Sequence, residues 1–300
     1  MTAVQTAPGL AADLHRQGLR TFRDYFDRAG GRVVGGHPAR NVAYVELGRL
    51  AGFLKREFRT PWKDYLASWW AGFGFVSKSR REWRILRALQ RCGIGCPQPV
   101  AVGEEGGRAF LLVRVLPDAV DLPTYLAQEV GPAERSTLAR RLGAALARLH
   151  AAGFTHPDLY AKHVFVNLHD RSIAFIDFQR TRYRPRVSWR CRWRDLAALD
   201  ASLSEELVPA RERFACLAAY LRAAGALRRR RRFRQALRAI IRRTRHLLGR
   251  RKVRAMRKAC VLPADSTRVE FFRVVVADHD PLPPHDPAAG PSALSRRPGA

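Results

Sequence analysis

Acidic residues are scarce in this chain. Its 300 residues include 26 Asp and Glu against 55 Lys and Arg, which gives a formal net charge of +29. More than half of that excess lies in one stretch, because residues 228–258 contain fourteen Arg, two Lys and no acid. A charge of this size predicts attraction to an anionic partner, whether nucleic acid, anionic lipid headgroups or a phosphorylated glycolipid, and does not choose among them.

Cysteines and long apolar runs are few as well. The five cysteines are scattered, and the close pair Cys92 and Cys96 has no second Cys/His pair at the spacing of a zinc site. An odd number of cysteines without a disulfide framework predicts a reducing compartment. No apolar run approaches the ~20 residues of a membrane-spanning helix, and the first twelve residues do not resemble a secretory signal. The sequence predicts a cytoplasmic protein, soluble or peripheral to a membrane.

Two aspartates enclose a predicted β-hairpin near the middle of the chain. Strand-like runs at 164–167 and 173–176 are joined by a turn; Asp158 lies before the first strand and Asp177 follows the second. A helix predicted over 132–152 precedes the hairpin. An isolated His-x-Asp is common in proteins, whereas a hairpin with an acid at each end is a more specific signal. Phosphoryl transfer uses two such acids, one for the proton of the attacking hydroxyl and one for a metal ion.

A predicted ion pair lies nearer the N-terminus. Lys55 comes near the end of a predicted strand, and Glu82 falls on the apolar face of an amphipathic helix predicted over 79–89. A carboxylate on a buried helix face needs a cation as partner. Lys55 is the favoured partner, and the neighbouring Arg81 and Arg84 are the alternative.

An aromatic segment separates this strand from the helix. Residues 59–78 hold three Trp and two Phe together with Lys63 and Lys78. Such a mixture could form a surface that faces a substrate or a membrane, or it could pack inside a small lobe. Packing is the slightly favoured prediction.

The order of these motifs resembles the protein-kinase signature, in which a catalytic loop precedes a metal-binding Asp. The closer resemblance is to the lipopolysaccharide-core kinase family, which phosphorylates Kdo or heptose sugars on a protein-kinase-like fold. His156, Asp158 and Tyr160 match its His-x-Asp-x-Tyr motif; His163 stands where protein kinases have a metal-binding Asn, and Asp177 lies in an Ile-Asp-Phe segment.

This resemblance implies an α+β fold of two lobes. The smaller lobe would be an antiparallel sheet with one helix, and the larger lobe would be mainly helical. Predicted strands at 96–102 and 109–115, joined by a turn at 104–107, would lead to a hinge at 116–118. The expected boundaries are a leader over 1–31, a small lobe over 32–116, a large lobe over 117–262 that includes a basic helix at 228–258, and a partly disordered tail over 263–300.

The resemblance also implies roles around the hairpin. Asp158 would be the base for the sugar hydroxyl, and Asp177, assisted by His163, would bind Mg²⁺ or Mn²⁺. Lys162 would steady the transferred phosphoryl group or would simply be exposed. Asp195 would hydrogen-bond the backbone of the catalytic loop as a structural residue.

The nucleotide would be ATP, bound by the small lobe. Lys55, held by Glu82, would contact its phosphates. Gly35 and Gly36, together with Pro38, lie in a predicted turn where a kinase has its glycine-rich loop. Two adjacent glycines are more often just a turn, so this signal is weak by itself.

Partners and alternatives follow from the same resemblance. The implied acceptor is a phosphorylated sugar on a lipid, bound by the basic run 180–186 unless that run is a solvated loop. The basic helix would lie on the anionic inner face of the inner membrane, pack on the large lobe, or bind RNA, which is the less favoured partner.

Two other functions stay open: a kinase of proteins or small molecules on this fold, and a non-catalytic basic pseudokinase that binds RNA or membrane.

Overall fold

The structure of the protein is a computed structural model that describes residues 4–28, 31–37, 39–226 and 230–259. Side chains are described over the same ranges except at 37, 230–232 and 251–259. The tail expected over 263–300 lies outside the described residues, as does Cys260. The other four cysteines have free thiols: Cys92, Cys96, Cys191 and Cys216.

A six-stranded antiparallel sheet forms the first part of the fold. Its strands are β1 (Gln5–Thr6), β2 (Arg32–His37), β3 (Arg40–Leu47), β4 (Leu50–Glu57), β5 (Pro99–Glu105) and β6 (Arg108–Arg114). Their spatial order is β1-β5-β6-β4-β3-β2. Strand β6 lies at the centre, and its residues 109–113 are all buried. The predicted hairpin between β5 and β6 is confirmed, and it turns through Gly106 and Gly107, whose φ values of +56° and +73° suit a type I′ turn.

The leader was expected to be irregular apart from a short helix around residues 19–28; that helix is present, and the described residues 4–28 contain further regular structure that was not expected. Strand β1 extends the sheet beside β5, and two short helices follow, α1 (Ala11–Arg16) and α2 (Phe22–Phe26). Phe22, Tyr25 and Phe26 are buried in one apolar cluster with Phe110 of the sheet, and the Tyr25 and Phe110 rings stack 4.6 Å apart. Aromatic residues at i, i+3 and i+4 share one helix face, so this segment covers the sheet.

The helix predicted over 79–89 is confirmed as α4 (Lys78–Arg91). Its first turn is capped by Ser77, whose hydroxyl accepts a hydrogen bond from the backbone N–H of Arg80 at 3.2 Å. Glu82 lies on the buried face together with Ile85, Leu86 and Leu89.

Helix α3 (Trp62–Trp70) presents its tryptophans to solvent. The exposed fractions are 74%, 53% and 78% for Trp62, Trp69 and Trp70. The prediction that this segment packs inside the lobe is wrong for these side chains. The helix instead buries a polar side, where Asp64 pairs with Lys78 at 2.9 Å between Oδ2 and Nζ.

The second part of the fold is mainly helical. Its helices are α5 (Leu122–Leu126), α6 (Pro132–Ala151), α7 (Trp189–Asp200), α8 (Ala210–Ala223) and α9 (Arg230–Ala259). The predicted hairpin is confirmed as β9 (Val164–Asn167) and β10 (Ile173–Phe175), with β7 (Ala119–Asp121) on its other edge. Strand β8 (Phe154–Thr155) follows α6 and pairs with β11 (Arg182–Tyr183).

Helix α9 packs against α7 through a narrow buried side. Ala236, Ile240 and Thr244 are buried, and the Thr244 hydroxyl donates to Oδ2 of Asp200 at 2.7 Å. The exposed arginines on its outer side include Arg234, Arg238, Arg242 and Arg245. Packing on the large lobe, one of the three expectations for this helix, is therefore present. Within the described ranges, every helix is too short or too polar to cross a bilayer.

Candidate active site

Lys55 and Glu82 form a buried ion pair between β4 and α4. Lys55 Nζ donates to Glu82 Oε1 at 2.6 Å, and the Glu82 side chain is almost fully buried. The two arginines that were the alternative partners, Arg81 and Arg84, donate to backbone carbonyls elsewhere. The predicted contact is therefore formed, and the alternative pairing is wrong.

Arg40 adds a second cation that the sequence analysis missed. Its Nη2 lies 3.5 Å from Glu82 Oε2, and the Arg40 side chain is buried. Neither atom has a hydrogen-bond partner among the described residues, so this is a charge contact without a formed hydrogen bond. In a chain with 55 basic residues, a single arginine at the start of a strand gives no sequence signal that separates it from the others.

Gly35 and Gly36 lie inside strand β2, not in the turn expected to contain them, because β3 begins only at Arg40. Gly35 pairs with Val42, which pairs with Lys55, so the three residues form one row across the sheet. A Cβ at Gly35 would meet nothing within 4 Å, so this row is open on the way to Lys55. Gly36 needs to be glycine, since its φ is +155° and a Cβ would come within 2.6 Å of the Arg40 carbonyl oxygen.

His156 anchors the loop that carries Asp158. Its backbone N–H donates to Oδ2 of Asp195 at 2.7 Å, which confirms the bond expected from Asp195. Its ring Nε2 lies 2.9 Å from the carbonyl oxygen of Ile176. Because a carbonyl oxygen only accepts, Nε2 carries the proton. One buried side chain thus ties the loop before Asp158 to the residue before Asp177.

Asp195 is the centre of a buried polar network. Arg194 Nε donates to it at 2.8 Å, and His150 bridges it to the Tyr220 hydroxyl, with ring nitrogens 3.3 Å and 2.8 Å away. Burial lowers the pKa of His150 and that of His156, because an imidazolium would lose its hydration there. Burial acts to raise the pKa of Asp195, but its bonds to His150, Arg194 and the His156 N–H outweigh this and leave that pKa lowered. Neutral imidazoles and a charged carboxylate therefore hold the loop.

Asp158 sits in the loop with one carboxylate oxygen already paired. Arg180 Nη1 donates to its Oδ1 at 2.9 Å; the arginine side chain is 73% exposed and the aspartate side chain 15%. Lys162 follows in a single turn of 3₁₀ helix, Ala161–His163, and its side chain is exposed. The structure thus places Arg180, from the predicted basic run, directly on the predicted base.

His163 stands between the two acids. Its Nδ1 lies 2.8 Å from the backbone carbonyl oxygen of Asp158, so Nδ1 is the donor and Nε2 is left with a lone pair in the neutral ring. That Nε2 lies 3.6 Å from Oδ2 of Asp177, too far for a hydrogen bond. Asp177 itself has a φ of +63°, a left-handed backbone that is uncommon outside glycine. A lone pair and a carboxylate at this separation are suited to sharing a metal ion.

The Lys55–Glu82 pair and the hairpin acids are joined through α4 and the loop that follows it. Arg81, beside Glu82 in the sequence, donates to the carbonyl oxygen of Thr181, four residues after Asp177. In the loop that follows α4, the carbonyl oxygen of Gly95 accepts a hydrogen bond from the N–H of Phe175 at 2.9 Å. Helix α4 and the loop that follows it are therefore bonded to both ends of the segment that carries Asp177.

Comparison with known proteins places this arrangement in context. Residues 31–220 match the model of the lipopolysaccharide kinase (Kdo/WaaP) family. The chain is 31% identical over 164 residues to the lipopolysaccharide core heptose(I) kinase WaaP of Pseudomonas aeruginosa, which is 49% of this chain and 60% of that protein. It is 25% identical over 197 residues to the 3-deoxy-D-manno-octulosonic acid kinase of Vibrio vulnificus, which is 63% of this chain and 81% of that protein.

A solved structure described as WaaP in complex with acyl carrier protein is similar in fold. The TM-score is 0.63 at 21% sequence identity, with 81% of this chain and 98% of that chain covered. This likeness confirms the predicted protein-kinase-like fold, an N-terminal antiparallel sheet followed by a larger helical part. The chain spans about three-fifths of the length of the Pseudomonas aeruginosa heptose kinase.

Proposed function

Because the chain belongs to the lipopolysaccharide kinase (Kdo/WaaP) family, we propose that it is an ATP-dependent kinase of a lipopolysaccharide-core sugar, either heptose or Kdo. The observation that carries the proposal is that both hairpin acids, Asp158 and Asp177, lie next to His163. His163 bonds the backbone of Asp158 through one ring nitrogen and faces Asp177 through the other. One acid can therefore serve the attacking hydroxyl while the other serves the metal, as phosphoryl transfer requires.

Asp158 is the general base in this proposal. It would accept the proton of the sugar hydroxyl as that oxygen bonds to the terminal phosphorus of ATP, while the bond from this phosphorus to the bridging oxygen breaks and ADP leaves. Its loop is fixed by the bonds of His156 to Asp195 and Ile176, so the carboxylate is preorganised. Arg180, which pairs with Asp158 in the structure, would move to a phosphate of the acceptor, since guanidinium groups bind phosphate in a bidentate manner.

Asp177 and His163 would hold the divalent ion, Mg²⁺ or Mn²⁺. When bound, such an ion would neutralise negative charge on the nucleotide phosphates. Within the described ranges, no group of three His, Cys, Asp or Glu side chains is arranged to hold a metal. The pair would therefore need phosphate oxygens of the nucleotide as further ligands, which is the usual situation for Mg²⁺ in kinases.

Lys55 would contact the nucleotide phosphates, and Glu82 would fix the position of its ammonium group. The open row at Gly35 leaves room for phosphates above the sheet, and Gly36 allows the strand to bend close to β3. Lys162 would steady the transferred phosphoryl group. The nucleotide would lie between the two lobes, which the proposed hinge at 116–118 joins.

The proposed location is the cytoplasmic face of the inner membrane. The exposed arginines of α9 support contact with anionic headgroups, which attract basic side chains within about one Debye length of the surface. The acceptor would be presented there as a lipid-linked phosphorylated sugar.

Transfer from labelled ATP tests the proposal against its alternatives. The labelled γ-phosphate should appear on the core sugar of extracted lipopolysaccharide and not on added protein substrates. Label on protein or on a small molecule would instead indicate another kinase on the same fold. If a thermal-shift assay shows no binding of ATP with either metal ion, the pseudokinase alternative replaces the proposal.

A further inference from the structure

Helix α3 turns its aromatic side to solvent and its polar side to the interior of the protein. Trp62, Leu66, Trp69 and Trp70 lie within an arc of about 100° around its axis, and the three tryptophans are more than half exposed. Asp64 and Ser68 lie on the opposite side and are buried. A helix of a globular protein ordinarily turns its apolar side to the core.

The buried polar side of α3 is held in place by specific contacts. Asp64 is paired with Lys78, and Ser68 is fully buried, with its carbonyl oxygen accepting from the N–H of Phe73 at 3.0 Å. The outward direction of the tryptophans is therefore set by packing on the other side of the helix.

Three of the exposed rings, those of Trp69, Trp70 and Phe75, form a continuous cluster. The Trp69 ring lies 6.2 Å from the Trp70 ring and 6.0 Å from the Phe75 ring, and Phe75 is itself exposed. Single exposed apolar residues are ordinary on protein surfaces, but a contiguous aromatic cluster marks an interaction site. Tryptophan is the side chain most suited to the boundary between lipid headgroups and acyl chains.

Basic residues adjoin this cluster and lead to the catalytic loop. The N–H of Tyr183 donates to the carbonyl oxygen of Ala71, the residue after α3, at 3.2 Å. Tyr183 is exposed and lies among three exposed arginines, Arg182, Arg184 and Arg186. The same segment begins at Arg180, which bonds Asp158. We call the set Trp62, Trp69, Trp70, Phe75, Arg182, Tyr183, Arg184 and Arg186 the aromatic–arginine surface.

We propose that the aromatic–arginine surface binds an anionic lipid bilayer, with the tryptophan rings in the headgroup region and the arginines on lipid phosphates. The combination of interfacial aromatic residues with basic residues is the one that such a bilayer selects. A second copy of the chain fits less well, because a symmetric contact would bring the three arginines against their own copies. Docking here would turn the segment that holds Asp158 toward the membrane. That last step rests on the proposed function, whereas bilayer binding does not.

The test is flotation of the full chain with vesicles that contain about one-third phosphatidylglycerol, compared with neutral phosphatidylcholine vesicles. The combined variant Trp62→Ser, Trp69→Ser, Trp70→Ser should lower the fraction bound to anionic vesicles about ten-fold, because the interfacial rings are removed. Leu168→Ser, which removes an exposed apolar side chain from the turn between β9 and β10, is the control and should stay within about two-fold of the parent chain. Trp70→Ser alone, at the most exposed position, should fold normally and lose part of the binding.

Several results would overturn the inference. One is equal vesicle binding by the parent chain and the triple variant when both have the same thermal midpoint. Another is a parent chain that is dimeric by light scattering and becomes monomeric in the triple variant, which would assign the surface to a second copy. Loss of RNA binding in that variant with vesicle binding unchanged would assign it to nucleic acid.

The outcome is separable from that of the proposed function. With a deacylated, water-soluble acceptor, the triple variant should transfer phosphate as fast as the parent chain, and with acceptor embedded in vesicles it should be slower. If neither acceptor is phosphorylated by any variant but vesicle binding still depends on the tryptophans, the proposed function fails and the surface remains a bilayer-binding site.

Discussion

Arg180 donates a hydrogen bond to Asp158 across 2.9 Å, so the proposed base is covered by an arginine from the segment that follows the proposed metal site. The guanidinium is largely exposed, and an exposed pair of this kind adds little to folding stability. Its value would lie in the acceptor complex, where it can exchange the carboxylate for a phosphate.

Arg180→Gln should therefore weaken use of the acceptor without unfolding the protein. With a water-soluble phosphorylated acceptor, kcat/KM should fall about ten-fold or more, since a charge-assisted hydrogen bond to phosphate is lost. KM for ATP should hardly change. Steady-state kinetics with both substrates varied checks this, and Arg148→Gln, at an exposed position of α6, is the control. An effect on ATP alone would show that Arg180 serves the nucleotide.

Lys55→Met and Glu82→Gln should differ in their effect on stability. Glu82 is buried between two cations, Lys55 and Arg40. Removing its charge leaves both without a buried partner and should cost roughly 3–5 kcal/mol of unfolding free energy. Lys55→Met keeps Arg40 beside Glu82 and should cost less while still impairing ATP binding. Urea unfolding and nucleotide titration of the two variants provide the comparison, and equal stability losses would contradict it.

His163→Asn should change the preference between metal ions. Imidazole nitrogen is a better ligand for Mn²⁺ than for Mg²⁺, and an amide oxygen suits Mg²⁺. The ratio of Mn²⁺ to Mg²⁺ affinity, measured by metal-dependent thermal shift in the presence of a non-hydrolysable ATP analogue, should decrease in the variant. His169→Asn, in the exposed turn between β9 and β10, serves as control. An unchanged ratio would remove His163 from the metal site.

Stability should decline as the pH falls from about 7 to about 5. The pKa values of His150 and His156 are lowered by burial in the folded protein. Below the unfolded pKa of about 6.5, the unfolded chain therefore takes up protons that the folded chain does not, and each histidine contributes a slope of up to about 1.4 kcal/mol per pH unit.

Denaturant unfolding at a series of pH values measures this slope. His150→Gln should reduce it, because one of the two buried imidazoles is then absent. His246→Gln on the exposed side of α9 should leave it unchanged. A flat profile in the parent chain over this range would refute the assignment of neutral buried histidines.

Much of the site could be predicted from the sequence, because its patterns are local or because burying the residue without a partner would be unfavourable. The hairpin follows from two short strands and a turn, and Glu82 was informative because a buried carboxylate needs a cation. The resemblance to a family supplied what the residues alone did not, including the bond from Asp195 to the loop, which the structure confirms.

The remainder depends on contacts that no local pattern encodes. The tryptophans of α3 are exposed because the opposite side of the helix, where Asp64 pairs with Lys78, is the buried one. An aromatic segment by itself does not reveal which side of its helix is buried. Arg40 contacts Glu82 from strand β3, whereas Lys55 contacts it from β4. Gly35 lies in strand β2 because the turn between β2 and β3 comes after His37, further along the chain than the two glycines suggested. Tertiary partners decided each of these cases.

The most direct measurement is the initial rate of transfer of labelled γ-phosphate from ATP to extracted lipopolysaccharide acceptor by three proteins: the parent chain, Asp158→Asn, and Asp170→Asn in the nearby turn. The account predicts transfer by the parent chain and by Asp170→Asn, and a loss of about 10²–10⁴-fold in Asp158→Asn, with ATP binding retained. Equal transfer by Asp158→Asn and the parent chain would contradict the account.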